Sequence, residues 1–310
     1  MQVNSIQNNS FKSGLTPQIL KNEANVNPKK VENYFKNSPY NSNRYDFRNL
    51  DLKNNKAYAL AFRMCAEIFK KFSRKHNYGG RQYLASQVFP SDIIVFDKED
   101  LADNLSDAFM WSFHTVSCDI SKHDSHFKNL KYTLGMGSIL APNVFDSLKK
   151  MNEYAEINSN RQNYYHSSSH FLNWCVHEWI HSISEYYLYR ESAGFCGSNY
   201  EATVHHRQNA QLNNQEKQIV RDVLGEYAAN AKTNQYDEII AEAWTKFICS
   251  SLDKDSINFK KDPVDVMKKT PKEFRKILKK ASTIHFYDYN YLKKETEPSS
   301  RSAMCFYPKV

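Results

Sequence analysis

Glycine and proline are scarce in this chain, eight and nine among 310 residues. Few positions are left to break helices or make tight turns, and the composition points to a soluble, mostly helical protein. No stretch approaches the eighteen or so consecutive apolar residues of a membrane span, which excludes a transmembrane helix. The first thirty residues are polar and Asn-rich, with no apolar segment ahead of a cleavage site, so no secretory signal is expected. The sequence reads as cytoplasmic by default, with signal-less secretion as an effector or toxin left open. Cys65, Cys118, Cys175, Cys196, Cys249 and Cys305 are scattered and never form Cys-x-x-Cys. That is not the spacing of a disulfide framework, and reduced thiols are expected. The net charge of +8 comes mainly from lysines along helix patterns, densest from Lys268 to Lys280. Nucleic-acid binding would prefer arginines and aromatics interleaved on one surface, so a solvated helix face is expected and a nucleic-acid partner is not. There is no internal repeat.

Residues 1–50 are rich in Asn, Ser, Lys and Pro and read as a poorly ordered leader. From Lys56 to His76, Leu60, Met64, Ile68 and Phe72 recur at helical spacing with Phe62, Cys65 and Phe69 beside them, which predicts a buried helix ended by Gly79-Gly80. Ser91 to Phe96 is the clearest strand, short and β-branched. Further strands are expected around Met110–Ile120 and Lys131–Leu140, then a helix from Asn143 to Ala155. A long helix should follow, since neither Pro nor Gly occurs from His166 to Ala193, with Ser167, Ser168 and Ser169 as N-cap candidates. The segment from Gly194 to about Asn214 reads as irregular. His205 and His206 lie there; adjacent histidines cannot point the same way, and a surface loop suits them better than a metal site. Helices are expected again at Gln215–Asn230 and Tyr236–Ser251. Thr270-Pro271-Lys272-Glu273 reads as a capping box opening a helix to about Ala281. An extension and tail, 286–310, complete the chain.

Within the long helix stands His177-Glu178-Trp179-Ile180-His181. Residues four apart share a helix face, so His177 and His181 can bind one metal ion together. Glu178 is turned about 100° around the axis, where it reaches a water on that ion rather than the ion itself. The chemistry this suits is zinc-assisted hydrolysis: the metal lowers the pKa of a bound water, and the carboxylate takes its proton. A catalytic site needs a third ligand. The otherwise apolar helix around Ile239, Ile240, Trp244 and Phe247 carries Glu238 and Glu242 on one face. Carboxylates buried there need partners; alternatively both face water or pair with Lys246.

His177-Glu178-x-x-His181 followed by Glu238-Ile-Ile-Ala-Glu242-Ala-Trp resembles the zinc peptidase domain of the anthrax lethal factor family, including the smaller lethal-factor-like domains of bacterial and phage proteins. In that family the first Glu of a Glu-aromatic-aromatic-Ala-Glu-Ala-aromatic helix binds zinc and the second supports the site. Pro271-Lys272-Glu273-Phe274 is similar to its Pro-Lys-x-Phe helix start. The resemblance covers roughly residues 165–282, and 1–160 have no counterpart in it. It implies one Zn2+ per chain held by His177, His181 and Glu238, with Glu242 behind them and Glu178 as general base. The family's oxyanion-stabilising tyrosine precedes the metal glutamate in a Tyr-Ala-x-x-Asn stretch. Glu226-Tyr227-Ala228-Ala229-Asn230 fits this loosely, the Asn one place early, and Tyr227 is taken for that role over Tyr236.

The order of helix, strands, helix and then His-Glu-x-x-His helix suits an α+β fold with a small mixed β-sheet above the motif helix, and the resemblance implies that it is a mostly helical zincin-like metalloprotease domain over residues 51–285. The expected function is zinc-dependent endopeptidase action on a protein or peptide substrate. A zinc hydrolase of a non-peptide substrate, or an inactive domain serving as a binding scaffold, are the alternatives. The oligomeric state has no signature in the sequence.

Overall fold

The computed structural model describes residues 15–37, 48–75, 89–100, 110–113, 118–119, 127, 130–135, 137–160, 166–196, 200–253, 257–285 and 302–304. Gly79-Gly80, the outer parts of the expected leader (1–14 and 38–47) and the tail apart from 302–304 lie outside them. The class is α+β, with helices predominating and a small mixed sheet.

The described part of the expected leader holds two helices, which corrects the reading of residues 1–50 as poorly ordered. Helix α1 (Pro17–Asn25) is capped by Thr16, whose Oγ1 accepts from Ile19 N at 3.4 Å. Helix α2 (Pro28–Lys36) is capped by Asn27, whose Oδ1 accepts from Lys30 N at 3.2 Å. Proline at the first helical turn costs no hydrogen bond and presets φ. Each short helix is fixed by what it buries: Ile19 from α1, and Val31 and Phe35 from α2. Phe35 reaches the ring of Trp179 at 6.3 Å.

Strand β1 (Leu50–Asp51) is followed by helix α3 (Lys56–Lys75), with Phe62, Cys65, Phe69 and Phe72 buried on its inner face. Strand β2 (Ile93–Phe96) occupies the expected position. Then come β3 (Trp111–Phe113), β4 (Cys118–Asp119), β5 (Thr133–Leu134) and β6 (Ser138–Pro142). The main sheet has the order β1-β2-β6-β3. Strands β1, β2 and β6 run parallel, with Ile93 opposite Ile139, and β3 pairs antiparallel to β6, with Trp111 opposite Leu140. Strands β4 and β5 form a separate antiparallel pair. The fully buried Asp92 gathers one end of the sheet, accepting from Asn49 N (2.7 Å), Gly135 N (2.7 Å) and Ser138 Oγ (2.5 Å).

Helix α4 (Leu148–Asn160) begins five residues later than expected. Helix α5 (Asn173–Cys196) carries the His-Glu-x-x-His motif and begins after the serines proposed as its cap. Helix α6 (Tyr200–Asn209) occupies the segment expected to be irregular, and His205 and His206 sit on it rather than in a loop. Arg207 holds α6 through a buried ion pair to Asp237 at 2.7 Å. Helix α7 (Asn214–Leu224) has a complete capping box between Asn213 and Glu216. Gly225, at φ +103°, separates it from the five-residue α8 (Glu226–Asn230), so the expected single helix is two. Helix α9 (Gln235–Ser251) is buried along most of its length and packs extensively on α5. Helices α10 (Pro263–Lys268) and α11 (Lys272–Ala281) follow. The expected capping box at Thr270 is not formed: Thr270 Oγ1 donates instead to Met267 O at 2.7 Å, closing the end of α10, and Pro271 is the N-cap residue. Strand β7 (Thr283–His285) pairs antiparallel with β8 (Ser302–Met304), bringing part of the expected tail back to the domain.

Aromatic packing fixes the two central helices. Trp179 of α5 stacks on Phe69 of α3 at 5.6 Å and 7°, and Trp244 of α9 meets Phe72 at 5.6 Å. Helix α3 is thus a common wall for both. The sheet meets α5 from another side: Ser112 of β3 donates to Glu185 at 2.5 Å, and Ser182 donates to Gly137 O at 2.5 Å. Gly137 has φ +70°, and a Cβ there would stand 2.6 Å from Ser182 Oγ and 2.8 Å from its backbone O. Left-handed strain and a clash with the helix backbone combine at this position. Gly137→Ala is expected to cost about 2–4 kcal/mol, read as a lowered urea midpoint. An unchanged midpoint would show that the turn and α5 are free to separate.

Candidate metal centre

The three side chains that define the site come from α5 and α9. His177 and His181, one turn apart on α5, face each other with their Nε2 atoms 3.0 Å apart. Glu238, in the first turn of α9, places Oε2 3.2 Å from His177 Nε2 and 3.4 Å from His181 Nε2. A tetrahedral ion with bonds of about 2.0–2.1 Å keeps its ligand atoms roughly 3.3–3.4 Å apart, so these three donors can hold one metal ion among them. Among the described residues this is the one such group, and His205 and His206 are outside it.

The polar bookkeeping supports a cation at this point. Glu238 Oε2 is enclosed and lacks an aligned hydrogen-bond donor in spite of its two ring neighbours. With the proton of His177 on Nδ1, facing Glu242, its Nε2 is a lone pair. For neutral imidazoles three acceptor atoms then converge with at most one ring proton between them, an arrangement a positive ion relieves. The electrostatics show the same need for positive charge, met without a metal ion by protons on the rings. Burial disfavours charge on His177, yet Glu238 and Glu242 outweigh it and hold the imidazole well above its ordinary range. His181 is likewise raised against burial, chiefly by Glu238. Burial also opposes charge on Glu238, but His181 and His177 keep its carboxyl below the usual carboxylate range.

Glu178 is on the same helix and buried, at 9 % exposure. Burial pushes its carboxyl up, while His177 and His181 pull it down. It lies within the field of the cluster without belonging to the three convergent donors.

Glu242, one turn after Glu238, is fully buried and makes three contacts. Its Oε1 is 2.9 Å from His177 Nδ1 and 2.9 Å from His166 Nδ1, and its Oε2 accepts from Ser167 N at 2.8 Å. The His177 contact is close, although its N–H points off the line to the carboxylate. Lys246, considered as a partner from the sequence, donates to Val223 O at 2.5 Å instead. Ser167 serves Glu242 rather than the helix start: its Oγ also donates to Glu242 O at 2.8 Å. Ser167, read from the sequence as an N-cap candidate, and His166 are therefore site residues whose part in the centre the sequence did not mark. They sit in an irregular segment where no periodicity marks them.

Tyr227, on α8, brings its ring 5.9 Å from that of His177, and the carboxylates of Glu238, Glu178 and Glu242 act on its phenol. Burial first, and the nearby carboxylates second, push its phenol well above the ordinary range, which keeps it a neutral donor. Tyr236 faces away, its ring 5.8 Å from Lys280 Nζ. No helix among the described residues is long and apolar enough to cross a membrane.

No protein-family model, curated protein or solved structure matches the chain. The centre offers two imidazoles and a carboxylate placed to hold a metal ion, with a second buried carboxylate beside them.

Proposed function

We propose that this chain is a zinc-dependent endopeptidase of the gluzincin type, its helices and mixed sheet arranged in the manner of a zincin and related to the lethal-factor-like domains. The observation that carries the reading is the convergence of His177, His181 and Glu238 on one point beside Glu178. Two imidazoles and one carboxylate are a ligand set of catalytic zinc, which keeps a fourth position for water or substrate. Zinc held there supplies Lewis-acid polarisation of a carbonyl and acidification of water.

The protein's own groups supply the remainder. Glu178 accepts the proton of the attacking water and returns it to the leaving amine; its burial raises its basicity for that exchange. Tyr227 donates its phenolic hydrogen to the oxygen that gains charge as the scissile carbonyl is attacked. Glu242 holds the Nδ1 side of His177, fixing which ring nitrogen faces the ligand position. Strand β3, the antiparallel edge of the sheet, contacts the motif helix through Ser112 and Glu185. An extended peptide adding to that edge through main-chain hydrogen bonds would run past the same helix, which favours a polypeptide substrate.

The test is digestion of a random peptide library by the zinc-loaded protein, with and without chelator. Chelator-sensitive cleavage is expected, and a library left intact by fully loaded protein would overturn the reading. On a peptide so identified, Tyr227→Phe is expected to lower kcat by roughly 10²-fold or more with zinc affinity nearly unchanged. Tyr236→Phe, remote from the centre, should leave kcat within about twofold, and equal losses from both would remove Tyr227 from its role.

A further inference from the structure

Glu242 is shared between two histidines, and only one of them belongs to the metal group. The other, His166, precedes α5 in the chain, and its side chain is 16 % exposed. Its Nδ1 lies 2.9 Å from the Oε1 atom that also faces His177, and its ring packs 4.7 Å from the ring of Tyr227 at 39°. Tyr227 in turn packs 5.9 Å from the ring of His177, and Glu238 acts electrostatically on its phenol. His166 therefore touches two groups that flank the centre: the carboxylate behind one proposed ligand, and the tyrosine ring beside that same ligand.

Two physical needs are met by that placement. A fully buried carboxylate needs a donor for each lone pair it turns inward, and an unmet need costs about 1–3 kcal/mol or more for a charged group. With Ser167 on Oε2, the donor from His166 fixes the rotation of the carboxylate and hence the direction it gives to His177. Tyr227 has little support from its own helix. Helix α8 has five residues, opens at Gly225 and has no side-chain cap, and a helix that short has no independent stability. Its aromatic ring is located by what packs on it.

We propose that His166 is a positioning residue that aligns Glu242 and Tyr227 as one unit, so that the metal ligand His177 and the hydroxyl of Tyr227 are set together. The proposal rests on the peptidase reading for its kinetic consequence, but its effect on metal binding stands apart from any activity.

Two near-isosteric replacements separate the contacts. His166→Asn keeps an N–H for Glu242 and loses most of the ring face; His166→Phe keeps the ring and loses the N–H. Zinc affinity is measured by competition with a chromophoric chelator, and ligand geometry by the visible absorption of the cobalt-substituted protein. His166→Phe is expected to weaken zinc binding about 10- to 100-fold and to shift the cobalt bands. His166→Asn should stay within about threefold of wild type in affinity, with its band positions retained, while kcat falls about tenfold and KM holds. In the Asn variant, adding Tyr227→Phe should lower kcat little beyond Tyr227→Phe alone, because the lost ring contact acts through that phenol. Urea midpoints and circular dichroism identify any variant that fails to fold, and the two replacements provide independent routes to a folded one. Wild-type zinc affinity and an unchanged cobalt spectrum in folded His166→Phe would overturn the proposal, as would independent, multiplying losses in the Asn and Tyr227→Phe pair. A wild-type protein that binds zinc but cleaves no peptide would overturn the peptidase reading alone, leaving the metal-affinity result to decide the role of His166.

Discussion

Glu178→Gln is expected to yield a folded protein that still binds about one zinc but turns over peptide roughly 10²- to 10⁴-fold more slowly, the range general-base catalysis contributes. The change is nearly isosteric, and Glu178 stands outside the three convergent donors, so nothing that holds the metal is removed. The site around it is buried, and an amide carries no charge to desolvate, so stability should not fall. What is lost is an acceptor for the proton of water and its return to the amine. The measurement is kcat on a library-derived peptide beside metal content by mass spectrometry. Undiminished cleavage by the Gln variant would place the reaction elsewhere in the molecule, and loss of zinc would show that Glu178 is a ligand.

The largest effect on stability is expected from His177→Ala/His181→Ala. Zinc content should fall from about one per chain to near zero. The centre joins α5 to α9, so the binding free energy of the ion is also a clamp between those helices. The substitution does further harm in the metal-free protein: Glu242, fully buried, keeps His166 and Ser167 but loses His177, and Glu238 loses both of its imidazole neighbours. Removing one partner of a buried pair costs about 3–5 kcal/mol. Urea titrations of wild type with and without chelator isolate the contribution of the ion. The double variant should unfold earlier than chelated wild type, and the difference measures the stranded carboxylates. Stoichiometric zinc in the double variant would sink the assignment of the ligands.

The parts of the molecule legible in the sequence are those set by long periodic patterns. Helix α3, the motif helix α5 and the apolar helix α9 all lie where spacing places them, and β2 was marked by its β-branched run. The pairing of Glu238 with two histidines more than fifty residues earlier was suggested by resemblance, not by periodicity. Short elements were lost for a definite reason. Helices α1 and α2 announce themselves by Thr16-Pro17 and Asn27-Pro28, which are cap-and-proline starts, yet their nine-residue bodies bury too few side chains to show a pattern. They are held by contacts to α3 and Trp179 that no local reading contains. Helix α6 is similar: the buried Arg207–Asp237 pair that anchors it is a tertiary fact. At Thr270 local chemistry offered two uses for one hydroxyl, and the end of the preceding helix took it. His166 and Ser167 were hidden because an irregular segment is shaped by its partner, here the carboxylate of Glu242.

The common wall between α3, α5 and α9 contains a sulfur from each: Cys65, Cys175 and Cys249, all buried, with the other two sulfurs acting on Cys65. Burial pushes the Cys249 thiol up to about 12 and the Cys65 thiol well above its ordinary range. Alkylating reagents attack the thiolate, so these sulfurs are silent while the three helices remain closed. Labelling them requires the interface to open, and the rate at which each cysteine is alkylated becomes a clock for that opening. Because the clock is mounted on the same two helices that carry the metal donors, it would time the breathing of the centre from within the core, without a probe entering the metal site.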